Sequence, residues 1–343
     1  MSQGRSLSCQ NPETSALKVI VFERTQPKTG DIEIAVEAAS VNPIDVQRAT
    51  GYGRKLLSLL GAGTFPMTLG NDFSGVITAV GSEVTGFSVG DRVFGAKKPS
   101  RFGTHASHVH VKATPELVAL VPSGHELTSV AALPYSFTTM WLAVRDAGRN
   151  KHNASGKKVL VHGAAGGLGS LALQMLSDWG ADITAIAFPK DHQACLDLGA
   201  TSAIGLSSTP FGALAGAFDA TLNFATWDHD QQLLGCVTSN ALGHATTGHP
   251  MLRTFDESGL IGGAAKTFLG KRNSRRALPP GVNRYSWTIF QPKADALAEL
   301  VRLLEQGRAM LYIGLDAPLA EGAEAFAHVK DGQPGRALIA PQK

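Results

Sequence analysis

A glycine-rich turn is the stretch of this sequence whose residue types and spacing point most directly to chemistry. Gly163, Gly166, Gly167 and Gly169 come directly after a short apolar run at 159–161. Such a run is typical of a strand that is covered on both faces. Glycines let a backbone approach a ligand closely, and the free N–H groups at the start of a helix attract phosphate oxygens. Strand, glycine turn and helix in succession therefore predict a binding site for the pyrophosphate of a dinucleotide.

The helix after the turn is predicted from apolar residues that recur on one helix face, namely Leu168, Leu171, Ala172, Met175, Leu176 and Trp179. Gly180 is placed to end it. The turn departs from the strict G-x-G-x-x-G fingerprint, because Ala164 stands where the first glycine would be. An ordinary strand-to-helix turn is the alternative, but the flanking elements favour the dinucleotide site. Its predicted cofactor contacts are Gly163, Ala164, Gly166, Gly167, Leu168 and Gly169.

The end of the second predicted strand bears on which dinucleotide binds. An NAD site has an acidic side chain there, which binds the ribose hydroxyls. The strand predicted at 183–188 leads instead into Pro189 and Lys190, and Lys190 with His192 offers positive charge to a 2′-phosphate. Asp191 is the opposing observation, although it is also placed to cap the next helix. The sequence therefore favours NADPH over NADH as the cofactor.

Composition and charge limit the class of protein. The 343 residues predict about two domains, and a content of 43% hydrophobic against 17% charged residues predicts a sizeable core. A net charge of +3 is too small to indicate a nucleic-acid or anionic-membrane partner. No apolar run is long enough to span a bilayer.

Cysteine usage and the first residues bear on location. Cys9, Cys195 and Cys236 are far apart and form no disulfide framework, which suits a reducing compartment. The first residues contain no apolar core of a secretory signal, and they make a poor transit peptide. We therefore expect a cytoplasmic protein in preference to one of the mitochondrial matrix.

Element patterns divide the chain into three parts. Residues 1–126 contain short β-rich runs separated by glycine turns, which predicts a barrel-like β domain. Between 127 and 290, strands alternate with helical runs, which predicts an α/β domain with a parallel, doubly wound sheet. Its later strands are predicted at 203–206, 220–224, 241–246 and 285–290, and a helix follows at 293–306. The glycine-rich, basic segment 249–282 is interpreted as a solvated loop in preference to a phosphate or partner site.

Several motifs agree on a family. They are SVNPID at 40–45, GYG at 51–53, FPMTLGNDFSGV at 65–76, VGDRV at 89–93, ALPY at 132–135 and the turn at 163–169. The chain resembles the zinc-independent, quinone oxidoreductase-like branch of the medium-chain dehydrogenase/reductase superfamily, and within it the mitochondrial reticulon-interacting oxidoreductases. The tail 332–339 is similar but looser. The resemblance implies a GroES-like catalytic domain, built from residues 1–126 and 291–343, and a Rossmann nucleotide-binding domain at 127–290.

The resemblance also implies which residues carry the reaction. Asn42, Asp45, Tyr52 and Thr139 are the candidates at the nicotinamide and substrate end. Tyr52 has a hydroxyl that can donate to an acceptor oxygen, with simple packing at a loop edge as the alternative. Asn223 stands where relatives usually carry an acid near the active-site edge of the sheet, and it is a further candidate for cofactor binding.

No metal is predicted. Relatives that use zinc bind it with Cys, His and an acid, whereas Asn42 and Asn71 occupy the corresponding positions here, and an amide is a poor zinc ligand. His105, His108 and His110 are predicted on one strand, where the first faces away from the other two. We interpret them as core or solvated histidines.

Without zinc to polarise a ketone, the acceptor must itself delocalise negative charge. The sequence therefore predicts hydride transfer from NADPH to a quinone or an α,β-unsaturated carbonyl. One alternative is an enoyl-thioester reductase whose basic residues 272–276 bind coenzyme A phosphates. Another is a nucleotide-binding scaffold or sensor with little turnover. The resemblance implies a homodimer that forms through the strand at 285–290, and nothing beyond one basic loop supports a nucleic-acid partner.

Overall fold

The computed structural model describes residues 2–240 and 243–343, and these form two compact units. Unit 1 contains residues 2–135, Phe255–Leu260 and Gln291–Lys343. Unit 2 contains Ser136–Thr254 and Ile261–Phe290. The family-level fold prediction is confirmed, because a β-rich unit accompanies a unit with a parallel sheet.

The first part of the chain is mostly strand. Its strands are β1 (Gln3–Cys9), β2 (Leu17–Glu23), β3 (Asp31–Val41), β4 (Met67–Thr68), β5 (Asp72–Val80), β6 (Arg92–Ala96), β7 (His108–Lys112) and β8 (Val118–Leu120). Its helices are α1 (Pro43–Ala49), α2 (Arg54–Ser58) and α3 (Leu127–Val130).

The middle of the chain alternates helices with strands. They are α4 (Leu133–Asp146), β9 (Lys158–His162), α5 (Gly167–Asp178), β10 (Asp182–Ile186), α6 (His192–Asp197), β11 (Ser202–Ile204), β12 (Ala220–Asn223), α7 (Asp230–Gly235), β13 (Gly243–Thr246), α8 (Met251–Arg276) and β14 (Arg284–Trp287). The tail adds α9 (Ala294–Glu305), β15 (Ile313–Pro318), α10 (Gly322–Lys330) and β16 (Arg336–Ala340).

Unit 1 contains two sheets. The smaller has the strand order β2-β1-β4, and the larger has the order β15-β16-β3-β5-β6-β8, with β7 paired to β3. Alternate residues of β3, including Ile32, Ile34 and Val36, are fully buried and centre one hydrophobic core. Because β16 pairs with β3 and β3 with β5, the tail is joined by hydrogen bonds to the first part of the chain.

Unit 2 is built on a six-stranded sheet of order β11-β10-β9-β12-β13-β14, in which every pairing is parallel. The central β9 has Val159, Leu160 and Val161 fully buried, as expected for a strand covered on both faces. Helix α5 buries the predicted apolar face except for Leu168, which is only partly buried. Gly180 follows its C-terminal residues with a φ of 75°, which confirms the predicted helix end.

The interpretation of segment 249–282 as a loop is wrong. The segment 249–282 is mostly the helix α8 rather than a loop, and its kink lies at Gly259, where φ is 70°. A strand that was not predicted, β1, lies between β2 and β4. Part of the strand predicted at 241–246 lies outside the described residues, and the remainder is β13.

One stretch of the described residues is long and apolar enough to cross a membrane by length and composition. It is Leu127–Asp146, and 72% of its apolar window is buried inside the folded chain. Such burial is typical of a core helix.

Candidate active site

The glycine turn of unit 2 has the geometry of a phosphate cradle. Gly163 follows β9 with a φ of 76°, a conformation that favours glycine. A Cβ at Gly169 would lie 2.2 Å from the carbonyl oxygen of Gly163, so only glycine fits there. Gly166 is the N-cap of α5 and provides no side-chain cap. The first N–H groups of a helix lack intrahelical acceptors and are therefore available to an anion such as a pyrophosphate.

The position of the turn within the sheet fits the same role. Strand β9 lies between β10 and β12, where the strand order reverses direction, and dinucleotides bind beside such a reversal. His162, the last residue of β9, places its Nε2 atom 2.9 Å from Nδ1 of His229. Burial, with a smaller effect of His229, lowers the pKa of His162 to about 4. The ring of His162 is therefore neutral beside the cradle at pH 7.

The turn after β10 contains the residues that were predicted to determine whether the protein binds NADPH or NADH. The strand ends at Ile186, before the predicted end, and Lys190 is exposed in the short turn that follows. His192 Nε2 lies 3.3 Å from the carbonyl oxygen of Ala187. Asp191 occupies the N-cap position of α6, but its side chain makes no capping hydrogen bond. Lys190 thus presents an exposed cation after the second strand of the sheet.

Asn223 stands where relatives usually carry an acid, and its hydrogen bond to the buried Asp230, which the sequence did not reveal, explains the amide at this position. The Asn223 amide nitrogen donates to Asp230 Oδ1 at 3.1 Å and to the carbonyl oxygen of Thr226 at 2.8 Å, and its Oδ1 accepts from the N–H of Ala225 at 3.2 Å. The amide therefore fixes the loop after β12. Its predicted role in cofactor binding stays a prediction.

Asp230 is the centre of a buried network on β12, β13 and β14. His244 Nε2 lies 2.8 Å from its Oδ1, and the Tyr285 hydroxyl donates to its Oδ2 at 2.9 Å. Trp287 Nε1 donates in turn to the Tyr285 hydroxyl at 2.7 Å. Burial alone would raise the pKa of Asp230, but its hydrogen bonds, chiefly from His244, hold that pKa below its usual value. The network therefore holds an ionised carboxylate inside unit 2.

In unit 1 the predicted residues Asn42 and Asp45 belong to one buried network. The N–H of Asn42 donates to Asp45 Oδ2 at 2.9 Å, and the N–H of Gly70 donates to Asp45 Oδ1 at 3.0 Å. The Asn42 amide nitrogen donates to Asp72 Oδ1 at 2.8 Å, and its amide oxygen accepts from Arg336. Asn42 therefore connects an acid to a cation that is distant in sequence.

Asp72 and Arg336 were not among the predicted site residues. Burial raises the pKa of Asp72 to about 7, although the nearby Arg336 opposes that shift. Burial likewise lowers the pKa of Arg336, against the attraction of Asp72 and Asp45. Asp72 could have been considered from the sequence, because it is an acid directly after Gly70 and Asn71. Nothing in the sequence indicated that it lies near Arg336.

Tyr52 lies in the turn between α1 and α2. It lines a small pocket of unit 1 together with Arg48, whose guanidinium donates to the carbonyl oxygens of Ala62 and Ser100, each at 2.9 Å. The Asp256 carboxylate accepts from the N–H of Gly53 at 2.5 Å and from the N–H of Lys55 at 3.1 Å. Asp256 thereby fixes the backbone beside Tyr52, a role that sequence reasoning missed.

Thr139 and the histidines occupy different surroundings. Thr139 is buried in α4 of unit 2. His105 lies before β7 rather than on it, fully buried, with its Nε2 3.0 Å from the carbonyl oxygen of Ser40, so its predicted place on the strand is wrong. His108 and His110 lie on β7 and share a partly exposed face. Within 2–240 and 243–343, no three His, Cys, Asp or Glu residues group as a metal site would require.

Comparisons with known proteins agree with this architecture. The alcohol dehydrogenase GroES-like domain matches residues 28–122. The NAD(P)H oxidoreductase RTN4IP1, mitochondrial, of Bos taurus is 31% identical over 317 residues, which cover 88% of this chain and 79% of that protein. The protein of the same name from Homo sapiens is 30% identical over 326 residues, with the same coverage.

Solved structures show the same fold. The quinone oxidoreductase from Coxiella burnetii superposes with a TM-score of 0.79 at 22% identity, covering 99% of each chain. The relatives also correct one expectation. The predicted cytoplasmic location is contradicted, because the similar proteins from cattle, human, mouse, nematode and zebrafish are all mitochondrial by name.

Proposed function

We propose that this chain transfers a hydride from NADPH to a quinone or an α,β-unsaturated carbonyl. It belongs to the quinone oxidoreductase-like branch of the medium-chain dehydrogenase/reductase superfamily, near the RTN4IP1 proteins, and it is a nicotinamide-dependent oxidoreductase. The observation that carries the proposal is the open phosphate cradle at 163–169, followed one strand later by the exposed Lys190.

NADPH supplies a hydride from its nicotinamide ring when it is bound. The N–H groups that begin α5 would hold its pyrophosphate, and Lys190 would contact its 2′-phosphate. Gly163 and Gly169 let the turn close tightly, because a Cβ at either position would press against atoms of the protein itself. Neutral His162 at the end of β9 adds no charge beside the phosphates.

We propose that the reaction proceeds without zinc. The donor set around Asn42 argues for this, since its amide already donates to Ser40 and Asp72 and accepts from the guanidinium of Arg336. A cation would meet that guanidinium at close range and would find no thiolate. The acceptor must then spread the developing negative charge itself, as a conjugated carbonyl or a quinone does. In unit 1, Tyr52 is the proposed hydrogen-bond donor to the acceptor oxygen.

Comparative kinetics of the Lys190→Ala variant test the cofactor assignment. A charge-assisted hydrogen bond contributes about 1.5–3 kcal/mol, so kcat/KM for NADPH should fall roughly 10- to 100-fold. The value for NADH should stay the same, because NADH has no 2′-phosphate. The exposed Lys330, at the end of α10, provides the matched control, and Lys330→Ala should change neither value. Equal losses with both cofactors would remove Lys190 from the site.

A panel of acceptors separates the proposal from its alternatives. Faster turnover of enoyl thioesters than of simple enones and quinones would indicate an enoyl-thioester reductase. Its suggested phosphate contacts, Arg272, Arg275 and Arg276, lie on an exposed helix surface. Tight NADPH binding with no turnover of any acceptor would indicate a scaffold or sensor instead.

We also propose a homodimer that pairs two copies of β14. This strand ends the sheet of unit 2 and pairs with β13 on one side. An edge strand presents backbone groups that a second copy can bind. Sedimentation should give a dimer. A monomer at all concentrations would contradict this assembly.

A further inference from the structure

The second part of α8, residues 260–276, has a charge and exposure pattern that the oxidoreductase function does not use. Its inner side packs within unit 2. Gly270 faces the Trp287 ring, where a Cβ would lie 3.3 Å from Cη2, and Ser274 is buried. Lys271 Nζ lies 5.4 Å from the centre of the Trp287 ring. The helix is therefore fixed on β14 by its glycine side.

The outer side of this helix exposes large apolar residues. Ile261 is 89% exposed, Phe268 is 65% exposed and Leu269 is 50% exposed. Ile261 and Phe268 stand two helical turns apart on the same face, with Leu269 adjacent. Single exposed apolar residues are common, but three of them together on one helix surface indicate a contact site.

Cations surround these apolar residues. Lys266, Arg272, Arg275 and Arg276 are all exposed on the same helix. The chain has no acidic residue between Glu257 and Asp295. The small net charge of the whole chain, +3, therefore conceals a strongly positive local surface.

We propose that this face of α8 binds the surface of an anionic lipid bilayer. Apolar side chains insert at the boundary between headgroups and acyl chains, while flanking Lys and Arg side chains extend to the lipid phosphates. Charge decides against a second copy of this chain, because two such faces would repel each other. The intermixing of Phe and Ile with cations on one outward helix face favours a bilayer over an acidic protein, which would need mainly the cations.

Vesicle co-sedimentation tests the proposal, with phosphatidylcholine vesicles compared against equal mixtures of phosphatidylcholine and phosphatidylglycerol. The full chain should bind the anionic vesicles much more tightly than the neutral ones, and added salt should weaken binding. The triple variant R272Q/R275Q/R276Q should bind anionic vesicles on the order of 100-fold more weakly, since each basic residue near such a surface contributes roughly fivefold. The double variant I261S/F268S should lose the binding that persists at high salt.

A matched control uses apolar residues that are equally exposed elsewhere. Leu60 and Phe102 of unit 1 are 73% and 72% exposed, and L60S/F102S should bind vesicles as the unchanged chain does. The substituted side chains are all on the surface, so thermal unfolding should be similar in every variant.

Three results would overturn the proposal. The first is no binding of the unchanged chain to anionic vesicles. The second is equal binding by both α8 variants and the unchanged chain. The third is an absence of vesicle binding together with either retention on immobilised polyglutamate or formation of a dimer, if the arginine substitutions abolish that retention or that dimer. The face would then bind an acidic protein or a second copy of the chain.

Discussion

Replacing Asp72 by asparagine probes the buried network of unit 1 through its effect on stability. The carboxyl of Asp72 is fully buried, and its pKa is raised from 3.8 to about 7, mainly by burial. In the unfolded chain the same carboxyl releases its proton near its ordinary pKa. As pH rises between these two values, the unfolded state loses the proton first, so the folded state becomes less stable.

The two pKa values set the size of the effect. The full difference between 3.8 and about 7 corresponds to roughly 4 kcal/mol. Between about pH 5 and about pH 8, the linkage relation gives a loss of roughly 2.5 kcal/mol from this one carboxyl. An asparagine keeps the shape and can accept the hydrogen bond from Asn42, but it does not titrate. The D72N variant should therefore lack this loss, which is fully developed only above pH 7.

Urea unfolding of both proteins across this pH range measures the difference. The free energy of unfolding of D72N minus that of the unchanged chain should grow by roughly 2.5 kcal/mol from about pH 5 to about pH 8. Asp331→Asn, at an exposed acid after α10, should show no such growth. Infrared difference spectra should show a protonated carboxyl that titrates near neutrality and disappears in D72N. The reasoning would be refuted if the difference in the free energy of unfolding stayed constant across this pH range and the infrared band of a protonated carboxyl were absent.

Other substitutions test single contacts. Gly169→Ala should destabilise unit 2 by about 1–3 kcal/mol and abolish NADPH binding. Gly235 has open space around it, so Gly235→Ala should leave thermal stability unchanged or raise it slightly. Asp230→Ala leaves buried donors without an acceptor and should lower the free energy of unfolding by more than about 3 kcal/mol. Unfolding followed by tryptophan fluorescence measures this loss, and a loss below about 1 kcal/mol would contradict the network. Asp256→Ala should speed hydrogen exchange of the Gly53 amide by roughly 10-fold or more, and unchanged exchange would remove that contact.

The α/β unit was predictable because its signals are local. The apolar run of β9, the glycine turn and the apolar helix face lie within a single stretch of sequence, and each follows a spacing that backbone geometry dictates. Gly180 ends α5 as predicted because only a residue that tolerates positive φ fits there.

The network of unit 1 was not predictable from local pattern. Asn42, Asp72 and Arg336 meet only because β16 pairs with β3 and β3 pairs with β5. The resemblance supplied Asn42 but not its partners. A buried acid and a cation so distant in sequence leave no spacing rule to follow.

The helix at 260–276 was missed for a different reason. Gly262, Gly263 and Gly270 lower its intrinsic helix propensity, which made a loop the simpler interpretation. In the fold, Gly263 is buried and Gly270 lets the helix approach Trp287 closely, so packing outweighs propensity. The strand β1 was missed in the same way, because pairing with β2 and β4 decides its conformation.

Deuterium transfer tests the central claim most directly. NADPH carrying deuterium at C4 of its nicotinamide, prepared in each stereoisomeric form, is mixed with the protein and a simple enone. The account predicts that one of the two forms delivers deuterium to the β-carbon of the reduced product, and that Gly169→Ala, which distorts the cradle, abolishes the transfer. Tight binding of NADPH without deuterium in the product of any enone, and without oxidation of NADPH by any quinone, would contradict it.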